Sequence, residues 1–225
     1  IVIAIVSGTF VCTINGIIVA VFRIPAFIAT LGMLYVARGI ALLITGGGSF
    51  IGLDGDPTRG NTGFDYLGTA RWFDLPVQIF VMAAVGILGI FIASRTIFGR
   101  HVYAVGGNEQ AAASAGIPVR RVLICVYAIA GACSAVAGVL LASQLAAADP
   151  TAATNYELGA IAAVVLGGTS LFGGRGSVGG SIAGAFVIGY LNDGLVLANV
   201  SEFWQMVATG LVIVLAVGID EFQRV

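Results

Sequence analysis

Charged residues are scarce in this sequence, and lysine is absent. Asp, Glu and Arg make up 9% of the 225 residues, and all ten basic residues are arginines. A soluble domain carries about 25% charged residues, whereas 59% of this chain is hydrophobic and its mean hydropathy is +1.05. The composition therefore excludes an ordinary water-soluble domain. Because the net charge is −1, there is no broad basic face, and nucleic-acid binding is excluded as well.

Cysteine and histidine are also rare, and their positions exclude the common metal and nucleophile sites. Cys12, Cys125 and Cys133 lie in apolar runs without a second Cys or a His at metal-ligand spacing. Cys125 and Cys133 are about 12 Å apart along one predicted helix, which is too far for a disulfide. We interpret all three as small core residues. The sole histidine, His101, belongs to no Ser/His/Asp set, so the sequence predicts no enzyme activity.

Long apolar stretches dominate what is present. They lie at 1–21, 26–45, 77–94, 122–145, 157–168, 178–198 and 203–219. Most are long enough to cross about 30 Å of hydrocarbon as a helix. The pattern predicts an all-α, polytopic helical membrane protein with a single transmembrane domain over 1–225. Because the chain starts with an apolar run and no Met, we expect a fragment that lacks N-terminal helices.

The stretch from Leu158 to Gly168 is the exception, since as a helix it covers about half a bilayer. It predicts a broken or half-length helix, and the glycines that follow allow irregular backbone. Such backbone is tolerated at membrane depth only where it is buried in protein or lines a water-filled cavity. A pathway or gate is therefore predicted here. The glycines are Gly167, Gly168, Gly173, Gly174 and Gly176.

A basic interruption at 95–121 sets the predicted orientation. It holds four of the ten arginines and one acidic residue, Glu109, so the positive-inside rule places it in the cytoplasm. Alternation of the spans then puts Arg23, Arg175 and Arg224 on the same side. The loop 46–76 becomes external; it carries Asp54, Asp56, Asp65, Asp74, Arg59 and Arg71.

A short helix is predicted inside this basic loop. Asn108 is a good N-cap, Glu109 complements the helix N-terminus, and Gly116 with Pro118 supplies a stop. Two turns of helix, capped at both ends, would offer a rigid knob to a soluble partner. An ordinary helix at the membrane surface is the alternative.

The residues of this loop resemble a known family. Gln110-Ala111-Ala112 followed by Gly116 looks like the EAA loop of ABC importer permeases, with Gln in place of the usual Glu. The string FGRHVYAVGGNEQAAASAGI resembles the sugar-importer permeases of the ribose and xylose type, which are related to the branched-chain amino acid permeases. Further similar strings are RIPAFIATLGMLYVARGIALLITGG, YELGAIAAVVLGGTSLFGGRGSVGG and the Asn192-Asp193-Gly194 region. The resemblance spans nearly the whole chain.

The resemblance implies a multi-pass subunit of a bacterial cytoplasmic membrane. Its partners would be a second permease copy or homologue, two ABC ATPase subunits that bind ATP and Mg, and a periplasmic or extracellular sugar-binding protein. This chain would bind no cofactor. The family's coupling helix would map to Asn108 through Gly116, with ATPase-coupling residues Asn108, Glu109, Gln110, Ala111, Ala112 and Gly116. Closure of the ATPases would then move the spans.

Gly174 through Gly179 formally matches the dinucleotide pattern G-x-G-x-x-G. We discount it, because the true motif follows a soluble strand in a βαβ unit and this one lies between two apolar segments. Gly168 to Gly173 does not continue as Gly-Lys-Ser/Thr, so no Walker A loop is present. The sequence instead predicts a tight cytoplasmic turn at Gly174–Gly179.

Polar residues within the apolar stretches are costly and suggest a function. Arg38, Asn15, Asn192 and Asp193 are the candidates for a translocation path. The alternative is that they join helices through buried hydrogen bonds or through an Arg38–Asp193 pair. Small residues at four-residue spacing predict helix packing; they are Ala130, Ser134, Gly138 and Ala142 on one helix and Gly180 and Gly184 on another.

These observations favour the transmembrane subunit of an ATP-driven monosaccharide importer that works by alternating access. An ABC permease for a branched-chain amino acid or an autoinducer is one alternative. An ion-coupled secondary carrier is another, but it needs intramembrane carboxylates, and Asp193 is the one candidate. A structural or assembly protein is a third.

Overall fold

The computed structural model describes residues 1–53, 64, 66–171 and 173–222 and is predominantly helical, which confirms the all-α prediction. The helices are α1 (Val2–Phe22), α2 (Ala26–Thr45), α3 (Tyr66–Thr69), α4 (Val77–Arg95), α5 (Ile97–Gly107), α6 (Glu109–Ser114), α7 (Val119–Leu145), α8 (Tyr156–Leu166), α9 (Val178–Leu197) and α10 (Glu202–Phe222). Short strands β1 (Phe50–Ile51), β2 (Arg71–Trp72), β3 (Leu75–Pro76) and β4 (Ala147–Ala148) form two antiparallel pairs, β1 with β4 and β2 with β3.

Five of these helices are long and apolar enough to cross a membrane: α1, α2, α4, α7 and α9. They coincide with the predicted apolar stretches. The half-length prediction is also confirmed, because α8 has 11 residues. Many large apolar side chains lie on the surface, for example Leu43 at 83% exposed and Phe27 at 70%. This is expected of helices that face hydrocarbon, because lipid tails are as apolar as these side chains.

The same physics corrects the interpretation of two cysteines. All three are free thiols, as expected, but Cys125 and Cys133 are exposed and only Cys12 is partly buried. A helix in a membrane can expose apolar side chains to lipid, so a cysteine in an apolar segment need not be buried in the protein. The prediction of three core cysteines is therefore wrong for the two in α7.

Two compact units make up the chain. The first comprises Ile1–Val85 with Pro118–Ala152, and the second comprises Gly86–Ile117 with Ala153–Val225. In the first unit α1 packs on α7 through small residues that let the two backbones approach. A Cβ added to Gly8 would lie 2.7 Å from the Cβ of Ala135, and one added to Gly131 would lie 2.5 Å from the Cβ of Cys12.

This contact corrects the predicted packing stripe on α7. Ala130, Ser134 and Gly138 are exposed, and nothing lies within 4 Å of a Cβ added to Gly138. The face that packs is displaced by one residue and contains Gly131 and Ala135. Small residues follow each other closely in this sequence, so a four-residue period fits two neighbouring registers. The sequence does not decide between them.

In the second unit α8 packs on α9, and here the predicted small residues are the ones used. A Cβ on Gly180 would clash with the carbonyl of Gly167, and a Cβ on Gly184 would clash with the carbonyl of Ala163. The prediction for Gly180 and Gly184 is confirmed. Around this contact lies a small buried core of Ala162, Ala163 and Ile188, against which Val212 of α10 packs.

The predicted external loop is described only at its two ends. Gly46 ends α2 with φ of +63°, in agreement with the predicted turn, and Asp74 lies in the turn between β2 and β3. Ser143 of α7 is fully buried and donates a 2.5 Å hydrogen bond to the carbonyl of Phe64, which fastens the loop's C-terminal end to α7. Asp54, Asp56, Arg59 and Asp65 lie outside the described residues, as does Arg224.

Candidate functional site

The basic stretch at 95–121 contains two helices, whereas the sequence predicted one. The additional helix is α5. Its N-cap is Thr96, whose Oγ1 accepts a 3.1 Å hydrogen bond from the N–H of Gly99. Gly99, Gly106 and Gly107 all lie in α5, and glycine weakens a helix by roughly 0.5–1 kcal/mol relative to alanine. That local penalty made the segment look like loop, and packing outweighs it.

The predicted short helix is present as α6, and its ends have the expected caps. The Asn108 side chain accepts a 2.9 Å hydrogen bond from the N–H of Ala111. At the other end Gly116 has φ of +82°, a left-handed conformation that favours glycine. Its N–H donates to the carbonyl of Ala113 at 3.0 Å, and the N–H of Ile117 donates to that of Ala112 at 3.1 Å. These two bonds form a Schellman motif.

Nearly the whole surface of α6 is open. Glu109, Gln110, Ala111 and Ala113 are exposed, as are the capping residues. Ala112 is different, because it is only 5% exposed. A substitution at Ala112 would therefore disturb packing within the chain as well as any partner contact. The coupling role of Ala112 stays a prediction.

A close backbone crossing connects α5 to the glycine-rich segment between α8 and α9. A Cβ on Gly106 would lie 2.7 Å from the N of Gly174, and a Cβ on Gly173 would lie 2.7 Å from the O of Gly106. We call the contact of Gly106 and Gly107 with Gly173 and Gly174 the glycine crossing. Beside it the hydroxyl of Tyr103 donates a 3.0 Å hydrogen bond to the carbonyl of Gly176.

The glycine-rich segment itself is the tight turn that the sequence predicts. Gly173, Gly174 and Gly176 have φ of +92°, +76° and +145°. The N–H of Ser170 donates to the carbonyl of Arg175 at 3.0 Å and closes the turn. These glycines provide positive φ and, at the glycine crossing, room for a second backbone.

The four candidate residues for a translocation path lie in different units. Asn15 (α1) and Arg38 (α2) belong to the first unit, and Asn192 and Asp193 (α9) to the second. Asn15 is 6% exposed, and its Oδ1 has no hydrogen-bond partner among the described residues. Arg38 and Asn192 are half-buried, and Asp193 is exposed. The pairing of Arg38 with Asp193 stays a prediction.

Asn192 lines a cleft of about 750 Å³ in the second unit. Its walls are the start of α8, one face of α9 and the first half of α10. Asn155 and Tyr156 contribute polar groups from α8, and Gln205 contributes an amide from α10. The sequence does not single out these three residues, because only the packing of α8 and α10 on α9 brings them to Asn192.

Comparison with known proteins shows the family to which the chain belongs. Residues 1–217 match the family described as the branched-chain amino acid transport system, permease component. The chain belongs to this permease family. Together with the five span-length helices, this identifies a multi-pass protein of the cytoplasmic membrane.

Individual relatives of this permease are sugar transporters by name. It is 44% identical to the ribose import permease protein RbsC of Bacillus subtilis (strain 168), over 92% of this chain and 62% of the relative. It is 40% identical to RbsC of Escherichia coli (strain K12), over 96% and 67%. It is 37% identical to the L-arabinose transport system permease protein AraH of the same strain, over 94% and 62%. No solved structure matches it.

The chain of this permease spans 62% of the length of the Bacillus subtilis RbsC and of AraH, and 67% of the length of the Escherichia coli RbsC. Within that span α6 and the half-length helix α8 were predictable from the sequence, and Asn192 stays a predicted path residue. Tyr103 and Gly106 were not predictable, because no local signal marks them. Their roles depend on a partner segment that follows about 70 residues later in the chain, as the Tyr103–Gly176 bond shows (73 residues apart).

Proposed function

We propose that this permease is the transmembrane subunit of an ATP-driven importer that carries a monosaccharide into the cell. The names of its relatives support the substrate class, since RbsC is a ribose permease and AraH an L-arabinose permease. Both align with more than nine tenths of this chain. Hydrolysis of ATP with Mg takes place on separate ATPase subunits in this proposal. A second permease copy or homologue and an external sugar-binding protein complete the assembly.

The observation that carries the proposal is the construction of α6. A short helix in isolation is marginal in water, yet α6 has an N-cap at Asn108, a Schellman motif at Gly116 and a buried anchor at Ala112. Its remaining surface is exposed. A small rigid body with an open surface suits docking into a groove of a soluble ATPase, at the cytoplasmic side that the arginines predict.

The connection from α6 to the membrane helices supports a lever mechanism. α6 follows α5 directly, with Asn108 as the shared boundary residue. α5 in turn contacts the segment between α8 and α9 at the glycine crossing and through Tyr103. A displacement of α6 is therefore passed to the end of the half-length helix. Two arrangements of that helix would give outward-open and inward-open states.

The docking proposal is tested by Ala113→Arg. Ala113 is exposed on α6, so arginine fits without disturbing the fold but adds bulk and charge to the proposed interface. In cells with the complete transporter, we expect D-ribose uptake and co-purification of the ATPase to fall together by about tenfold or more, equivalent to about 1.4 kcal/mol. Ser201→Arg is the matched control, because Ser201 is exposed in the turn between α9 and α10. Alternation of the spans from the cytoplasmic basic stretch puts this turn on the external side.

Other results of these uptake and binding measurements would favour a different function for the permease. Normal uptake and normal ATPase binding with Ala113→Arg would overturn docking through α6. Uptake of leucine in place of ribose by the wild-type transporter would favour the amino acid permease. Ribose uptake that continues without the ATPase and follows an ion gradient would favour the secondary carrier.

A further inference from the structure

The cleft between α8, α9 and α10 has the size and lining of a ligand site. Its volume of about 750 Å³ lies within the roughly 300–1,000 Å³ typical of small-molecule pockets. Its floor is apolar and well packed, because Ala163 and Ile188 are both 6% exposed. Its rim is polar. An apolar floor with a few convergent polar groups is the usual composition of such sites.

Three side-chain amides contribute polar groups, one from each helix region, beside the hydroxyls of Thr154 and Tyr156. Asn155 stands at the start of α8 and makes no side-chain capping bond. Asn192 is half-buried on α9 and makes no hydrogen bond to another residue in the described part of the chain. Gln205 donates from Nε2 to the carbonyl of Val200 at 2.9 Å, which leaves its Oε1 available. An amide offers both donors and an acceptor.

None of the described residues that line the cleft is charged, and this selects among ligands. Those residues offer no counter-charge to the carboxylate and ammonium groups of a zwitterionic amino acid, whose burial would be unfavourable. Near the rim, Glu157 occupies the first turn of α8, where its carboxylate repels an anion. Hydroxyl groups, in contrast, donate and accept as amides do. The exposed ring of Tyr156 adds an aromatic wall.

We propose that this cleft is a binding site for a neutral polyhydroxylated molecule, a monosaccharide, held through the amides of Asn155, Asn192 and Gln205. The inference rests on the proposed function, which it makes specific. It places the sugar between α8, α9 and α10, all of which belong to the second unit. A site of few uncharged hydrogen bonds binds its ligand weakly, which suits a station on a transport path.

Glycines on α9 allow a clean test. Gly189 lines the cleft, and no described residue lies within 4 Å of a Cβ added to it. Leucine at this position can therefore place its Cβ freely and extend its side chain into the cleft. Gly194 lies on the same helix, is equally unobstructed and does not line the cleft. Gly194→Leu is thus the matched control for Gly189→Leu.

The measurement is D-ribose uptake by the complete transporter, normalised to the amount of permease in the membrane. Gly189→Leu should lower uptake by about tenfold or more, and Gly194→Leu should stay within about twofold of wild type. Co-purification of the ATPase should be unchanged in both variants. Equal uptake by Gly189→Leu and wild type, or an equal loss in the two leucine variants, would overturn the cleft as a sugar site.

A second pair of variants tests the amide contacts. Asn192→Leu removes a donor and an acceptor, and we expect the KM for D-ribose to rise by about 2- to 12-fold, the factor that corresponds to one ordinary hydrogen bond. Asn192→Gln keeps an amide and should recover part of the affinity for D-ribose. If Asn192 only stabilised the fold, this recovery would not be expected. An unchanged KM in Asn192→Leu would contradict direct contact with the sugar.

Failure of this inference is distinguishable from failure of the proposed function. If the wild-type transporter takes up ribose and Gly189→Leu does so equally well, the cleft proposal fails and the importer stands. If the wild-type transporter takes up L-leucine and no ribose, both the sugar function and the sugar site fail.

Discussion

Two of the short helices, α6 and α8, are stabilised by different interactions. α6 has six residues, caps at both ends and a single buried residue, Ala112. α8 has 11 residues, and its N-cap Asn155 makes no side-chain bond to the helix, but Ala162, Ala163 and Val165 are buried. Neighbouring residues in the sequence therefore maintain α6, whereas contact with α9 maintains α8.

The difference follows from what surrounds each helix. In its proposed docking role, α6 has to stay folded while it is separated from its partner, so its hydrogen bonds must be satisfied locally. A half-length helix in the membrane has no such freedom, because irregular backbone at that depth must be covered by protein. Substitutions at caps should therefore weaken α6, and substitutions at packed glycines should weaken α8.

The largest effect is expected for Gly184→Ala on α9. A Cβ there would clash with the carbonyl of Ala163 and lie 2.8 Å from the N of Gly167. Both atoms are backbone at the C-terminal half of α8 and cannot rotate away. We expect the free energy of unfolding to fall by about 1–3 kcal/mol, measured by thermal unfolding in detergent.

Gly189→Ala is the control, because it makes the same change on the same helix in open space. Removing a helical glycine there should leave stability unchanged or raise it by up to about 1 kcal/mol. Equal destabilisation by the two alanines would show that α8 does not depend on close contact with α9. The contrast between the two short helices would then be lost.

An intermediate effect is expected for Gly106→Ala at the glycine crossing, where α5 contacts the turn that leads from α8 to α9. The added Cβ would lie 2.7 Å from the N of Gly174, so the backbones must separate. We expect ribose uptake to fall by about tenfold while the ATPase continues to hydrolyse ATP. The measurement is the ratio of uptake to ATP hydrolysis in reconstituted vesicles.

The neighbouring glycine provides the comparison for this variant. A Cβ on Gly107 would lie 4.0 Å from the Cα of Gly174, an ordinary contact, so Gly107→Ala should keep the ratio near that of wild type. If Gly106→Ala also keeps the wild-type ratio, the crossing does not transmit movement. α6 and α8 would then be independent of each other.

The smallest effect is expected for Asn108→Ala, which removes the side-chain cap of α6. Losing an N-cap costs about 1 kcal/mol, and hydrogen exchange at the N–H of Ala111 should speed up by roughly fivefold. Asn108→Asp keeps an acceptor and should exchange as wild type does. Unchanged exchange in Asn108→Ala would mean that packing of Ala112 alone maintains the helix.

Local features of the fold were predictable from the sequence. The caps Asn108 and Gly116 act through hydrogen bonds to residues within four positions, so a short window contains the whole interaction. The apolar stretches likewise reveal the spans by their length alone. The helix α5 was missed because its glycines are unfavourable locally and favourable only against Gly173 and Gly174.

The candidate sites show the same difference between local features, which the sequence reveals, and contacts between distant segments, which it does not. Asn192 was recognisable, since an amide in an apolar helix is conspicuous. Its neighbours Asn155 and Gln205 were not, because each lies at the end of another helix, where a polar residue is ordinary. The burial of Ala112 was not recognisable either, because it depends on how α6 packs against the rest of the chain.

By itself the sequence determined that this chain is a helical membrane permease, that the helix α8 is about half the length needed to cross a bilayer, and that α6 is capped. Hydropathy, length and capping bonds act over a few turns of chain and are readable there. Only the tertiary structure decided which register of small residues on α7 packs, that Gly106 meets Gly174, and that three amides share one cleft. Those outcomes depend on the approach of segments far apart in the chain, and the deciding quantity is the steric fit between backbones.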